Sequence, residues 1–174
     1  SDQTAGLNLM TNNKARQTPR VHHRHLGREL AMQMLFQHDL TECEIDTDAF
    51  ENLRIQVGSV EDMPDSKTCR RARKYAEELV LGVKDNLDVI DKAIAEHASG
   101  WDIKRMALVD LNIIRISIYE MLHVAKVPPV VSIDEAASIA RDFCSPDSID
   151  FICGLLNSIK DTLDRPAREA VDEL

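Results

Sequence analysis

The sequence predicts an all-α protein of about seven helices, and three observations carry that prediction. Apolar residues recur at every third or fourth position over most of the chain. Aromatic residues make up only 4% of the chain, so its core must be aliphatic. No stretch of useful length alternates apolar and polar residues as a half-buried strand would. With 174 residues, 44% of them hydrophobic, the chain suits one compact domain, expected over residues 21–163.

The elements follow in order. Residues 1–20 are rich in Asn, Thr and Gln without periodicity, which predicts a mobile tail. From about His22 to Leu40 the pattern is helical: Leu26, Leu30 and Met34 recur every fourth residue with Ala31 and Leu35 beside them, and the other face holds Arg24, His25 and Arg28. A short second helix is expected from about Asp48 to Val57, carrying Phe50, Leu53 and Val57, before a loop containing Pro64. A third, from about Cys69 to Val83, places Ala72, Ala76, Leu79, Val80 and Val83 on one face. Asn86 should break it, after which Leu87, Ile90, Ile94 and Ala98 continue an apolar stripe to a stop at Gly100.

Trp101 ahead of Asp102, with Met106 beyond, predicts a hydrophobic staple that makes Trp101 a core or staple residue. The run from there to Leu122 is the most apolar of the chain and should form the central helix. Pro128 and Pro129 end it, and Ser132 followed three residues later by Glu135 predicts a capping box for a sixth helix. Ser145-Pro146-Asp147 supplies a cap, a proline at the first helical position and an acid at the positive helix end. The seventh helix then carries Phe151, Leu155, Ile159 and Leu163. Residues 164–174, with Pro166 and an excess of acids, are expected to form a frayed tail.

A net charge of -9 argues against nucleic-acid binding until its distribution is considered. Lys14, Arg16, Arg20, Arg24 and Arg28 fall in a stretch with no acid between Asp2 and Glu29, and Lys67, Arg70, Arg71, Arg73 and Lys74 crowd into eight residues. The body is therefore acidic and carries two basic patches, the pattern of a protein that grips an anion locally. The second patch lies at a helix start, where cations oppose the macrodipole. Either an anionic ligand or Glu77 and Glu78 one turn later must offset it.

Cys43, Cys69, Cys144 and Cys153 form no CxxC pair and show no zinc-ligand spacing, so reduced packing thiols are expected. His22-His23-x-His25 lacks a fourth ligand at a readable spacing, so no metal is expected there. No apolar run reaches membrane-spanning length and the first twenty residues lack a signal-peptide core, which predicts a cytoplasmic protein. No Gly-rich cofactor loop, βαβ unit or supported catalytic triad is present, so neither an enzyme nor a cofactor is expected.

Four segments together carry a family resemblance. Arg28-Glu29-Leu30-Ala31-Met32-Gln33-Met34-Leu35-Phe36, Ile114-Arg115-Ile116-Ser117-Ile118-Tyr119-Glu120-Met121-Leu122, Val127-Pro128-Pro129-Val130-Val131-Ser132-Ile133-Asp134-Glu135-Ala136 and Phe151-Ile152-Cys153-Gly154-Leu155-Leu156 resemble the NusB family of bacterial transcription antitermination factors. Members typically read ARE-x-A-x-Q-x-L-Y, ILR-x-x-x-YEL, VP-x-x-V-x-INEA and F-x-NG-x-L. Phe36, Asp134 and Cys153 depart from that pattern, and the usual run of adjacent arginines is thinned by His22, His23 and His25.

The resemblance implies two packed helical subdomains and a factor that binds single-stranded boxA RNA. It would do so with NusE, a small-subunit ribosomal protein, and join the elongating RNA polymerase with other Nus factors on ribosomal RNA operons; a homodimer is a further form the family takes. It assigns RNA contacts to Arg20, Arg24, His25, Arg28, Tyr75, Asp147 and Ser148, and NusE contacts to Phe36, Leu40 and Asp110, with Glu120 a packing residue. Two alternatives stand beside it: a protein-only adaptor whose thinned arginine arm no longer grips RNA, and a stand-alone relative of the NusB-like domain of ribosomal RNA cytosine methyltransferases.

Overall fold

The structure is a computed structural model that describes residues 22–42, 44–45, 48–51 and 66–174. Among these residues there are six long helices: α1 (His23–Thr41), α2 (Ser66–Asp85), α3 (Leu87–His97), α4 (Leu108–His123), α5 (Pro129–Phe143) and α6 (Pro146–Lys160), with a 3-10 turn at Ile103–Arg105. Residues 48–51 are also helical, which completes the seven expected, and no strand occurs among the described residues. The expected tail over residues 1–20, together with Cys43, Leu53 and Val57, lies outside the described residues.

The central helix is the one the sequence singles out. Every residue from Leu111 to Ile118 of α4 is buried, because α1, α2, α3, α5 and α6 all pack around it. A helix apolar all round can only sit inside. α1 and α2 form the closest pair, and Gly27 permits the approach: a Cβ there would stand 2.9 Å from the Ala72 carbonyl oxygen and 3.0 Å from the Tyr75 ring. α2 gives way to α3 at Asn86, whose side-chain amide donates to the Gly82 carbonyl at 2.8 Å, and Gly100 turns the chain after α3 with φ +77°.

Three local expectations are corrected. α5 begins at Pro129 rather than at a Ser132/Glu135 box; Ser132 lies inside the helix, buried, with its hydroxyl donating to Glu120 at 2.9 Å. Two prolines at the start satisfy the geometry of the first turn without a side-chain cap. Trp101 is 58% exposed, its ring 5.0 Å from that of Phe151, so it is a surface aromatic and not a core residue. Residues 165–171 are not frayed: the Arg165 guanidinium donates to the carbonyls of Met121, Val124, Ala125 and Val127, while Ala167 and Val171 form backbone hydrogen bonds to Val130 and Ala125. The end of α4 and the loop after it thus gain a shared side-chain donor, beside the Val127 and Val171 N–H groups from which Val124 and Ala125 also accept. The Ser145 cap of α6 is as expected, its hydroxyl accepting from the Ser148 N–H at 3.3 Å.

Buried charge ties the helices together. Arg28 of α1 is 3% exposed and its Nε–H lies 2.9 and 3.0 Å from the two carboxylate oxygens of Glu120 on α4. The same carboxylate accepts from the Tyr75 hydroxyl of α2 and from Ser132 of α5, so four helices meet at one fully buried acid. Arg28 also approaches Glu135 at 3.5 Å, and Glu135 accepts from His25, whose other ring nitrogen faces Glu29 at 3.0 Å. Burial alone would disfavour the His25 imidazolium, but Glu135 and then Glu29 outweigh it and raise its pKa. A second tie uses Arg115 of α4, bidentate to Asp91 of α3 at 2.9 and 2.8 Å and 3.2 Å from Asp39 of α1.

Removing one partner of a buried pair strands the other. Arg28→Ala should therefore lower the unfolding free energy by about 3–5 kcal/mol in urea titration, whereas Arg24→Ala, half-buried and outside the network, should change it by well under 1 kcal/mol. A raised histidine pKa stabilises most below the unfolded value near 6.5 and is lost as pH climbs through the folded value. The stability gap between the unaltered chain and His25→Gln should accordingly be largest at about pH 6 and shrink towards pH 9.

Candidate nucleic-acid interface

The basic patches meet in one place. An open groove of about 730 Å³ runs between the start of α1, one face of α2 and the end of α4 with the loop after it. α1 contributes His23 and Arg24, α2 contributes Arg71 and Lys74, and the loop contributes Lys126. Arg71 and Lys74 lie three residues apart on α2, which puts them on one face, and both are exposed. The cluster at Lys67–Lys74 thus joins the first arginine patch instead of standing apart from it, at least through these two side chains.

The local fold explains the placement of Arg24. His22 caps α1, its ring nitrogen accepting from the Arg24 N–H at 3.2 Å, and its ring stacks on His23 at 4.7 Å. The Arg24 guanidinium then lies 5.9 Å from the centre of the Tyr75 ring, within cation-π range, with Arg28 at 5.8 Å from the same ring. Burial lowers the pKa of His23, and the charges of His22, Arg24, Arg71 and Arg28 lower it further. Like charges therefore crowd the end of the groove around His23, while Glu78 and Asp85 line it further along α2.

The residues the resemblance assigns to RNA divide into three groups. Arg24, half-buried, and Tyr75 both line the groove, and His25 follows Arg24 on α1 but is held between Glu29 and Glu135. Arg28 and Tyr75 are largely buried, 3% and 7% exposed, and both hydrogen-bond to Glu120. Burial, then the Glu120 charge and hydrogen bond, push the Tyr75 pKa far above its ordinary value, so its hydroxyl remains a donor to the carboxylate. The Tyr75 ring, fixed in this way, lies beneath the Arg24 guanidinium. Arg20 lies outside the described residues.

Asp147 and Ser148 form the third group, at the other end of α4. Cys144, just before them, is hydrogen-bonded to Asp110; burial and then that acid push its thiol up to about 12, which leaves it inert. Asp110 and Glu120 are ten residues apart on α4, a rise of about 15 Å. Asp147 is exposed and Ser148 shares a 3.0 Å hydroxyl contact with Ser145. Phe36 and Leu40, at the end of α1, belong to this same end, since Asp39 between them bonds Asn112 and Arg115. Leu40 is 63% exposed, Phe36 and Asp110 half-buried.

Sequence reasoning missed Tyr119, His123 and Lys126 as lining residues of the groove. Their only signal was position: Tyr119 and His123 lie in the last turns of α4 and Lys126 in the loop after it, where the helix end emerges beside α2. Among the described residues no group of three metal-ligating side chains occurs, and no helix is long and apolar enough to cross a membrane.

The comparisons with known proteins agree. The model of the NusB family matches residues 25–161. The chain is 37% identical over 137 residues to the transcription antitermination protein NusB of Citrifermentans bemidjiense, covering 79% of this chain and 93% of that protein. It is also 37% identical over 140 residues to the NusB of Bacillus thuringiensis, covering 80% and 98%. Among solved structures, T. maritima NusB superposes with a TM-score of 0.64 at 29% identity over 83% of this chain and 92% of that one. A structure of antitermination factors NusB and NusE in complex with dsRNA gives 0.67 at 20% identity over 81% and 98%, a likeness of fold. By its four motifs, its helical architecture and a family match over most of its length, this chain belongs to the NusB family of transcription antitermination proteins.

Proposed function

We propose that the chain binds single-stranded boxA-type RNA through the basic groove, together with a NusE-type small-subunit ribosomal protein, and so promotes processive transcription of ribosomal RNA operons. The observation that carries this reading is the gathering of His23, Arg24, Arg71, Lys74 and Lys126 on one groove of a chain whose net charge is -9. Cations gathered in a concavity raise the local concentration of anions and favour their binding there. A single strand needs positive charge along its backbone and exposed side chains that meet its bases. A solved complex of antitermination factors NusB and NusE with dsRNA, which shares this fold, supports RNA binding alongside a NusE-type partner.

The NusE contact fits the opposite end, where exposed Leu40 stands beside half-buried Phe36 and Asp110. Asp147 and Ser148 belong to that end too, so a strand that reached them from Arg24 would run along α4 and pass from the groove towards the partner. Protein partner and RNA then have separate surfaces on one rigid scaffold, joined by the central helix. In this role the chain acts by assembling other molecules, and the polymerase and further Nus factors would meet the complex rather than the isolated chain.

Titration of labelled boxA RNA at several salt concentrations tests the groove. Four phosphate contacts, at about -0.7 each, predict a log-log salt slope of about -3, and Arg24→Ala/Lys74→Ala should flatten it by about 1.4 while leaving the melting temperature nearly unchanged. An identical slope for the variant would place the RNA elsewhere. For the partner end, Leu40→Asp should weaken NusE binding about tenfold or more in calorimetric titration and leave RNA binding by the chain alone intact, because it introduces a charge on an exposed apolar contact.

A further inference from the structure

The groove contains two chemistries, and phosphate accounts for only one. Arg71, Lys74, Glu78, Gly82 and Asp85 follow one another along the face of α2 that lines it. The first two are cations and the others end in two carboxylates, so a ligand of phosphates alone would be repelled from the far half. Among the described residues neither Glu78 nor Asp85 is ion-paired with the cations of the groove. Asn86, beside them, has its amide nitrogen committed to the Gly82 carbonyl, which leaves its side-chain oxygen as an acceptor. The α2 side of the far half thus offers two carboxylates, facing Tyr119, His123 and Lys126 across the groove.

Its floor is aromatic. Tyr119 lies across α2 at Gly82, where a Cβ would stand 2.1 Å from the ring's Cζ, so only glycine lets the ring settle there. The ring is half-buried, with the His123 ring 5.2 Å away and tilted by 33°. Glu78 and Asp85 both act on the Tyr119 hydroxyl: burial first, then these two charges, raise its pKa. Unlike Tyr75, Tyr119 keeps part of its surface open to the groove. Lys74 and Glu78 are four residues apart, a rise of about 6 Å, a separation that one nucleotide can bridge from phosphate to base edge.

We propose that the groove is a subsite for one guanine nucleotide of the bound RNA, its phosphate on Arg71 and Lys74, its base stacked on Tyr119 and its two adjacent N–H donors on the Glu78 carboxylate. The assignment rests on the RNA-binding reading and adds a base preference to it. Guanine fits because its Watson-Crick edge presents N1–H beside N2–H, matching the two oxygens of a carboxylate. Adenine, cytosine and uracil each place an acceptor next to the donor, which would face Glu78 unfavourably. Tyr119 supplies stacking for any base, and Glu78 supplies the choice among them.

Titration of the isotope-labelled chain with GMP, AMP, CMP and UMP at low salt, followed by amide chemical shifts, tests this directly. GMP should shift Gly82, Asn86 and Tyr119 and bind about tenfold tighter than the other three. Glu78→Gln, an exposed position whose melting temperature should not move, should bring GMP down to the level of the others. Tyr119→Leu should weaken all four together, and Tyr119→Phe should restore them. Equal binding of the four nucleotides, shifts confined to Arg71 and Lys74, or unchanged GMP preference in Glu78→Gln would each overturn the subsite. Salt-dependent boxA binding that persists alongside such a result would leave the RNA-binding groove standing without a base preference, whereas loss of boxA binding altogether would remove the broader reading.

Discussion

The fold depends on one buried carboxylate. Glu120 receives Arg28, Tyr75 and Ser132 from three other helices, and each donor is where it is because a separate feature of the sequence puts it there. Gly27 lets α1 close on α2 so that Tyr75 can reach α4, and the two prolines start α5 early enough to bury Ser132 inside it. A charge taken out of water is tolerated only when nearly all its lone pairs are satisfied, so these helices have little freedom to shift independently. The groove inherits that rigidity. Arg24 sits one turn before Arg28 and over the ring whose hydroxyl holds Glu120, so the position of a surface cation is set by a buried network.

The same arrangement explains which parts of the site were legible in the sequence. Periodicity exposed the helices because burial of one face is a local property, and α4 was legible as central because no polar face interrupts it. Arg24, Arg28 and Tyr75 look alike at that level: a cation, a cation and an aromatic near a basic stretch. Only the crossing of α1 over α4 separates them, and that crossing depends on residues 92 positions apart. Tyr119 escaped notice for the converse reason. It belongs to a motif dominated by core residues, yet it is the member that emerges at the helix end beside a glycine on another helix.

The errors at the chain's second half have a common origin as well. Ser132 and Glu135 have the spacing of a capping box, but a serine three residues after a proline start can turn inward and serve a buried acid instead. Trp101 has the size of a core residue, yet the turn at Gly100 brings it to the surface, where Phe151 covers only part of it. Composition made residues 164–174 look unsupported because their apolar content is low. What orders them is hydrogen bonding to a distant place, the carbonyls at and just past the end of α4, which no window of local sequence contains.

That attachment has an electrostatic side. A helix presents a partial negative charge at its C-terminus, and Val124 and Ala125, just past the end of α4, lie in the wall of the basic groove. Their carbonyls accept from the Val127 and Val171 N–H groups and still add negative potential near Lys126. Arg165 donates to both of them and to Met121 and Val127, so its positive charge cancels the helix end at the place where it would do most harm. Arg165 lies beyond the span that matches the family, at residues 25–161. Bonded to residues of the groove wall, Arg165 thereby acts as an electrostatic shield that sets its charge against the field of the central helix.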